Sequence, residues 1–227
     1  MCICVCVCVV VYKCVQISKK KMDTIMKKTA LKAATPKVKA VAKPKTKSIV
    51  HKTIPGRFKA NCGNGYAYLS NFFPHISEAA RKGFETDDLK ALTSINVTVD
   101  DITFSSSEQA YMYLRLAQCG YAAEATRIKH TTTALQAKQL NTTMKNERKK
   151  KGNPFDLSAF DADATMERVL FAKFSQNEVL KRELLDTGKT ILAEIPGRSE
   201  SVWTYNNTTG KPGLLGILLM KVRAQLQ

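Results

Sequence analysis

Glu108, Tyr111, Met112 and Arg115 fall at i, i+3, i+4 and i+7, so on a helix a carboxylate, a phenol and a guanidinium share one face. Ser105 and Glu108 have the S-x-x-E spacing of a capping box. Two readings therefore stand side by side: Glu108 closes a helix start and does nothing else, or it is a site carboxylate. At a helix N-terminus its pKa is expected to be depressed, keeping it anionic at neutral pH, which suits stabilisation of positive charge better than proton donation.

Lys173 is the second candidate. Met166, Val169, Leu170, Lys173 and Phe174 follow i, i+3, i+4, i+7 and i+8, which puts a lysine on an apolar stripe. It either snorkels to water or is desolvated, and a desolvated amine has the lowered pKa that suits nucleophilic or anion-holding work. Ser70-Asn71-Phe72-Phe73-Pro74 is a loop that can present an amide and ring faces to a flat ligand, or simply a packed corner. Trp203, the one Trp of the chain, lies beside Glu200 and can be a stacking platform or a core anchor.

The elements that must hold these residues are mostly helices. Ile95 to Val99 and Ile102 to Phe104 alternate apolar and polar across Asp100-Asp101, predicting a hairpin that leads into the Glu108 helix. Gly120 breaks that helix and a second is expected over 121–129. Thr131-Thr132-Thr133 offers an N-cap for a helix over 134–140 that carries Lys138. Residues 144–154, with Arg148-Lys149-Lys150-Lys151, read as a loop whose charges are solvated or follow a phosphate chain. Asp161 or Asp163 caps the Lys173 helix, 178–186 forms the next, and Thr187-Gly188 stops it. Short strands are expected at 66–69 and 190–195, an irregular, partly helical insertion at 76–93, and an amphipathic last helix at 214–226.

Charge divides the chain unevenly. Of a net +17, residues 19–59 carry 14 Lys and Arg against one Asp and Lys13 adds one more, leaving +3 for everything from Ala60 onward. Residues 1–21 open with Cys and Val in near alternation, the pattern encoded by a TGTGTG-type repeat; they are expected to be translated repeat or unstructured, with Met22 or Met26 as the native start. Residues 22–57 form a Lys/Ala/Pro-rich tail, expected to be disordered and to hold nucleic acid non-specifically by counterion release, or to act as a solubilising linker. Five of seven cysteines lie in the first 15 residues; Cys62 and Cys119 are too few for a disulfide framework or a four-ligand zinc site, which fits a reducing intracellular compartment, cytoplasm or nucleus. No apolar run is long enough to span a bilayer, so no membrane partner is expected.

In order along the chain, Ser70-Asn71-Phe72-Phe73-Pro74, Ser107-Glu108-Gln109-Ala110-Tyr111, Ala137-Lys138-Gln139-Leu140, Lys173-Phe174, Leu184-Leu185-Asp186-Thr187-Gly188, Glu194, Glu200-Ser201-Val202-Trp203 and the final Leu215-Gly216 helix resemble the NADAR, or YbiA-like, family over residues 58–227. The resemblance implies a mainly α fold with minor β, a compact multi-helical orthogonal bundle with a small β-hairpin and short strands. It also implies an N-glycosidase that uses no metal and no cofactor. Some members remove ADP-ribose from guanine bases in nucleic acid, and others cleave phosphorylated riboflavin-pathway intermediates. Glu108, Lys173 and Glu200 would then be catalytic, and Ser70, Asn71, Phe72, Ser107, Tyr111, Arg115, Lys138 and Trp203 would bind substrate. The chain departs from the family pattern at four places: Arg115 stands where Lys is common, Glu200 where Asp is usual, Thr204 where Gly follows the Trp, and Pro212-Gly213-Leu214-Leu215-Gly216 lacks the Asn usual near the last Leu-Gly. A guanidinium stays protonated, so Arg115 cannot form the covalent sugar adduct open to a lysine. An inert binder of ADP-ribose or modified nucleic acid, and a nucleic-acid-binding protein acting through its tail, are the rival readings.

Overall fold

The computed structural model describes residues 56–60 and 63–227; the Cys/Val tract, the Lys-rich segment as far as Pro55 and the Asn61-Cys62 turn lie outside the described residues. The described part is mainly α. Its helices are α1 (Glu78–Lys82), α2 (Asp87–Ala91), α3 (Ser107–Gln118), α4 (Ala122–Lys129), α5 (Ala134–Lys150), α6 (Ala162–Ser175), α7 (Glu178–Asp186) and α8 (Leu214–Gln225). Its strands are β1 (Arg57–Phe58), β2 (Val97–Val99), β3 (Ile102–Phe104) and β4 (Ala193–Glu194).

The hairpin forms where alternation predicts it. β2 and β3 pair antiparallel, Val97 opposite Phe104 and Val99 opposite Ile102. Asp100 and Asp101 both take positive φ, 51° and 61°, which is the type I′ geometry that matches strand twist. The strand expected at 190–195 shrinks to Ala193–Glu194 because its parallel partner, β1, offers only Arg57 and Phe58. Residues 66–69 are not a strand: Ala67–Leu69 is a 3-10 turn with all three residues buried, an arrangement that the two-faced pattern of an edge strand cannot provide.

The start of α3 differs by one residue from the expected capping box. Ser106 is the N-cap, its hydroxyl accepting from the Gln109 N–H. Gln109, not Glu108, reaches back, its Oε1 accepting from Ser105 N–H at 2.9 Å. The Gln109 amide also donates to the carbonyls of Lys129 and Thr131 at the end of α4, fastening the two helices. Glu108 is thereby released from capping.

Helix α5 runs ten residues beyond its expected end at Leu140, absorbing the basic run that read as a loop. Its buried side continues through Asn141 and Met144 to Arg148, whose guanidinium lies against Tyr121 and Phe155 and pairs with Glu124 at 2.8 Å. Asp161 caps α6 by accepting from Ala164 N–H. Met166, Val169, Leu170, Lys173 and Phe174 form its buried stripe as the spacing predicts. Helix α8 crosses close to the chain before β4; a Cβ at Gly216 would collide with the Leu192 carbonyl, so that position admits only glycine. No helix among the described residues is long and apolar enough to cross a membrane.

Candidate active site

A cavity of about 570 Å³ opens between the first turn of α3, the Asn71 loop, β4, the Trp203 loop and α5. Its lining includes Glu108, Tyr111 and Arg115 from α3, Asn71 and Phe72 from the loop, Glu194 from β4, and Lys138 from α5. These are the charged, amide and ring groups expected of a site for a polar, flat-ringed ligand.

Glu108 is 7 % exposed, and burial raises its carboxyl above the usual range while the Lys138 ammonium opposes that rise. The expectation of a depressed pKa is therefore corrected. Loss of hydration outweighs the helix dipole at this depth, because a buried carboxylate gives up far more than a helix end returns. Glu194 sits beside it on β4, placed by the Phe58 pairing and by a 2.8 Å hydrogen bond from Tyr205 N–H to its own carbonyl. Burial, then the Glu108 charge, push its carboxyl up to about 7, against the lowering charges of Lys138 and Lys59. The cavity thus holds two carboxyls, Glu108 and Glu194, and two ammonium groups, Lys138 and Lys59.

The walls are aromatic. Lys138 Nζ lies 5.1 Å from the Phe72 ring centre. Trp203, half-buried, meets Tyr111 edge-on at 5.7 Å and 76°, and Tyr111 meets Phe160 at 5.5 Å. The Trp203 loop is fixed by α8: Leu214 and Leu215 N–H groups, unserved by any side-chain cap, donate to the Val202 and Trp203 carbonyls. Burial raises the Tyr111 hydroxyl to about 12, so it stays a neutral donor.

Asn71 Oδ1 is buried without a hydrogen-bond partner among the described residues, while its amide Nδ2 reaches Met166 sulfur at 3.5 Å. His75, absent from the sequence-based set, also lines the cavity. Its Nδ1 accepts from the Ala134 N–H at 3.2 Å, which fixes the ring proton on Nε2, and burial lowers its pKa. No grouping of His, Cys, Asp and Glu among the described residues is arranged to hold a metal.

Residues 57–227 match the family model described as the NADAR domain. The chain belongs to the NADAR family. The family is associated with N-glycosidase activity. No curated protein matches the chain significantly. Among solved structures it is similar to the E. coli protein YbiA, with a TM-score of 0.51 and 20 % identity over 76 % of this chain and 86 % of that one, a likeness in fold.

Within this NADAR domain, Ser70 lines the cavity but its hydroxyl accepts from the Phe72 N–H, shaping the loop. Ser107 is wholly buried behind the cavity, outside its lining, with its hydroxyl unpartnered among the described residues. Two expected catalytic residues lie elsewhere. Lys173 is fully buried and outside the lining; its amine donates to the Tyr68 carbonyl at 2.7 Å and the Ser70 carbonyl at 3.0 Å. Burial lowers its pKa to about 7, as a desolvated lysine requires, yet the amine is spent on the loop that carries Asn71. Glu200 is exposed and outside the lining, accepting from the Asn207 backbone N–H and side-chain amide. Its neighbours Ser199 and Ser201 line the cavity instead, and the second carboxyl there is Glu194. Glu194 is one of the residues that carry the family resemblance, but its short apolar strand gives no hint that the acid faces inward.

Proposed function

We propose that this NADAR protein is an N-glycosidase that removes ADP-ribose from guanine bases in nucleic acid. The observation that carries the reading is that two buried carboxyls, Glu108 and Glu194, line one ring-walled cavity with Lys138. Cleaving a ribosyl C–N bond develops positive charge on the sugar and negative charge on the departing base, and needs a proton for that base and a water for the sugar. In its carboxylate form, which the Lys138 charge favours and burial opposes, Glu108 stabilises the oxocarbenium-like sugar. Glu194, titrating near 7, gives its proton to the base as the bond breaks and takes one back from the water that adds to the sugar carbon. The residue ends each turnover in its starting state.

Guanine fits the remaining groups. Asn71 Oδ1 is an acceptor awaiting a donor, and guanine offers N–H groups on its pairing edge. His75 Nε2–H is a donor that matches guanine O6 or N7. Phe72 and Trp203 supply ring faces, and Lys59 and Arg115 supply charge for a pyrophosphate. Mixing the purified chain with an oligonucleotide ADP-ribosylated on guanine tests the reading by mass spectrometry. Release of ADP-ribose with restoration of guanine is expected; binding without release sinks the enzymatic reading, and neither binding nor release sinks the substrate as well.

A further inference from the structure

Lys138, Lys145 and Lys149 lie on one line of α5. At 100° per residue the second and third fall within about 20° of the first, and the row is about 16 Å long. Lys138 lines the cavity, so the row begins at the site and runs away from it. All three are exposed, and none forms an ion pair with a described residue. The single acid of α5, Glu147, points to the opposite side of the helix, about 180° away. Arg148 turns from the row to pair with Glu124. Lys149 alone could be explained as a cation at a helix C-terminus, but Lys145 lies more than a turn back from that end.

Lys138 has the Glu108 and Glu194 carboxyls near it, whereas Lys145 and Lys149 have no counter-charge among the described ion pairs, and like charges so placed repel one another and gain when a polyanion covers them. Leu135, which lines the cavity and is 52 % exposed, adds an apolar lip at the start of the same face. We infer that this face of α5 is a docking surface for the phosphate backbone of the single strand bearing the modified base, one flank of which leaves the cavity along Lys145 and Lys149. The inference rests on the glycosidase reading for its substrate and adds to it a direction: the stripe lies on one side of the cavity, so one flank of the modified nucleotide is held and the other is not.

The test uses the full chain and the double substitution Lys145→Gln with Lys149→Gln. Three substrates are compared: ADP-ribosylated guanosine, and oligonucleotides carrying the modified guanine at the 5′ or the 3′ end. The wild type is expected to show a lower KM for one of the two oligonucleotides than for the other, and the double variant to erase that difference while leaving guanosine turnover unchanged. Binding of an unmodified single strand, read by fluorescence anisotropy, should weaken about fivefold to tenfold at low salt, with the log–log salt slope shallower by about 1.4. Unchanged affinity, slope and KM in the variant overturn the inference. If the wild type cleaves none of the three substrates the glycosidase reading falls, and the anisotropy experiment still decides whether α5 holds a strand.

Discussion

The backbone N–H of Glu108 donates to the carbonyl oxygen of Asn71 at 3.0 Å. The first turn of α3 and the Asn71 loop are thus one unit, although 37 positions separate the two residues. Lys173 holds the same loop from behind through the Tyr68 and Ser70 carbonyls. A carboxylate, an unsatisfied amide oxygen and a ring face therefore reach the cavity in fixed relation, which is the preorganisation that electrostatic catalysis needs.

Glu194 makes stability depend on pH. Its carboxyl is raised to about 7 in the fold, so between the unfolded value of 4.5 and 7 the folded chain keeps a proton that the unfolded chain has lost. Stability falls as the pH rises through that window. Replacing Glu194 by Gln should raise the thermal midpoint at pH 8 by roughly 3 to 6 °C and change it little near pH 4.5. Calorimetry at the two pH values checks this, and an unchanged or lower midpoint at pH 8 contradicts it.

Lys173 acts in the opposite direction and at higher pH. Its amine is lowered from 10.5 to about 7, so across that interval the unfolded chain binds the extra proton and stability rises with pH. Lys173→Met removes this rise and leaves two buried carbonyls without their donor, at a cost of about 2 to 4 kcal/mol. Urea unfolding of both proteins should show a gap that widens from pH 7 to pH 9.5. A gap independent of pH would mean that the amine keeps its proton in the fold.

The sequence displayed the scaffold better than the chemistry. Periodicity placed Lys173 on the buried stripe and alternation placed the hairpin turn at Asp100-Asp101, because both follow from regular repeat geometry. It missed where α5 ends, since Lys-rich surface positions hide the buried spacing of Asn141, Met144 and Arg148. It took Glu200 for the second carboxyl because that acid stands near Trp203, whereas a strand two residues long, paired to Phe58 from the far end of the domain, brings Glu194 in instead. His75 could have been suspected from its place after Phe73-Pro74, yet nothing local shows that the start of α5 would fix its tautomer.

Exposure of Glu200 and its bond to Asn207 give it a loop-holding role. Glu200→Gln keeps an acceptor for Asn207 and should change kcat by less than about threefold. Steady-state kinetics decide; a loss of about 100-fold would return Glu200 to the reacting centre.

His75 should be less than half protonated at pH 6.5, where a free imidazole is half protonated, because protonating Nδ1 would set two donors against each other at Ala134. Nitrogen-15 NMR of histidine-labelled protein is expected to show the Nε2–H tautomer at that pH. A titration midpoint at or above 6.5 would remove His75 as a fixed donor.

The most direct measurement is the kinetic cycle of Glu108→Gln, Glu194→Gln and the double variant on ADP-ribosylated guanosine. Glu108 is not the helix cap, so its substitution should leave the fold intact. Each single substitution is expected to lower kcat about 100-fold to 1000-fold, and the double variant to lose little more than the worse single one, because two groups that serve one bond cleavage act as a unit. Folded single variants that keep turnover within about threefold of the wild type would contradict the assignment of the reacting centre to this pair.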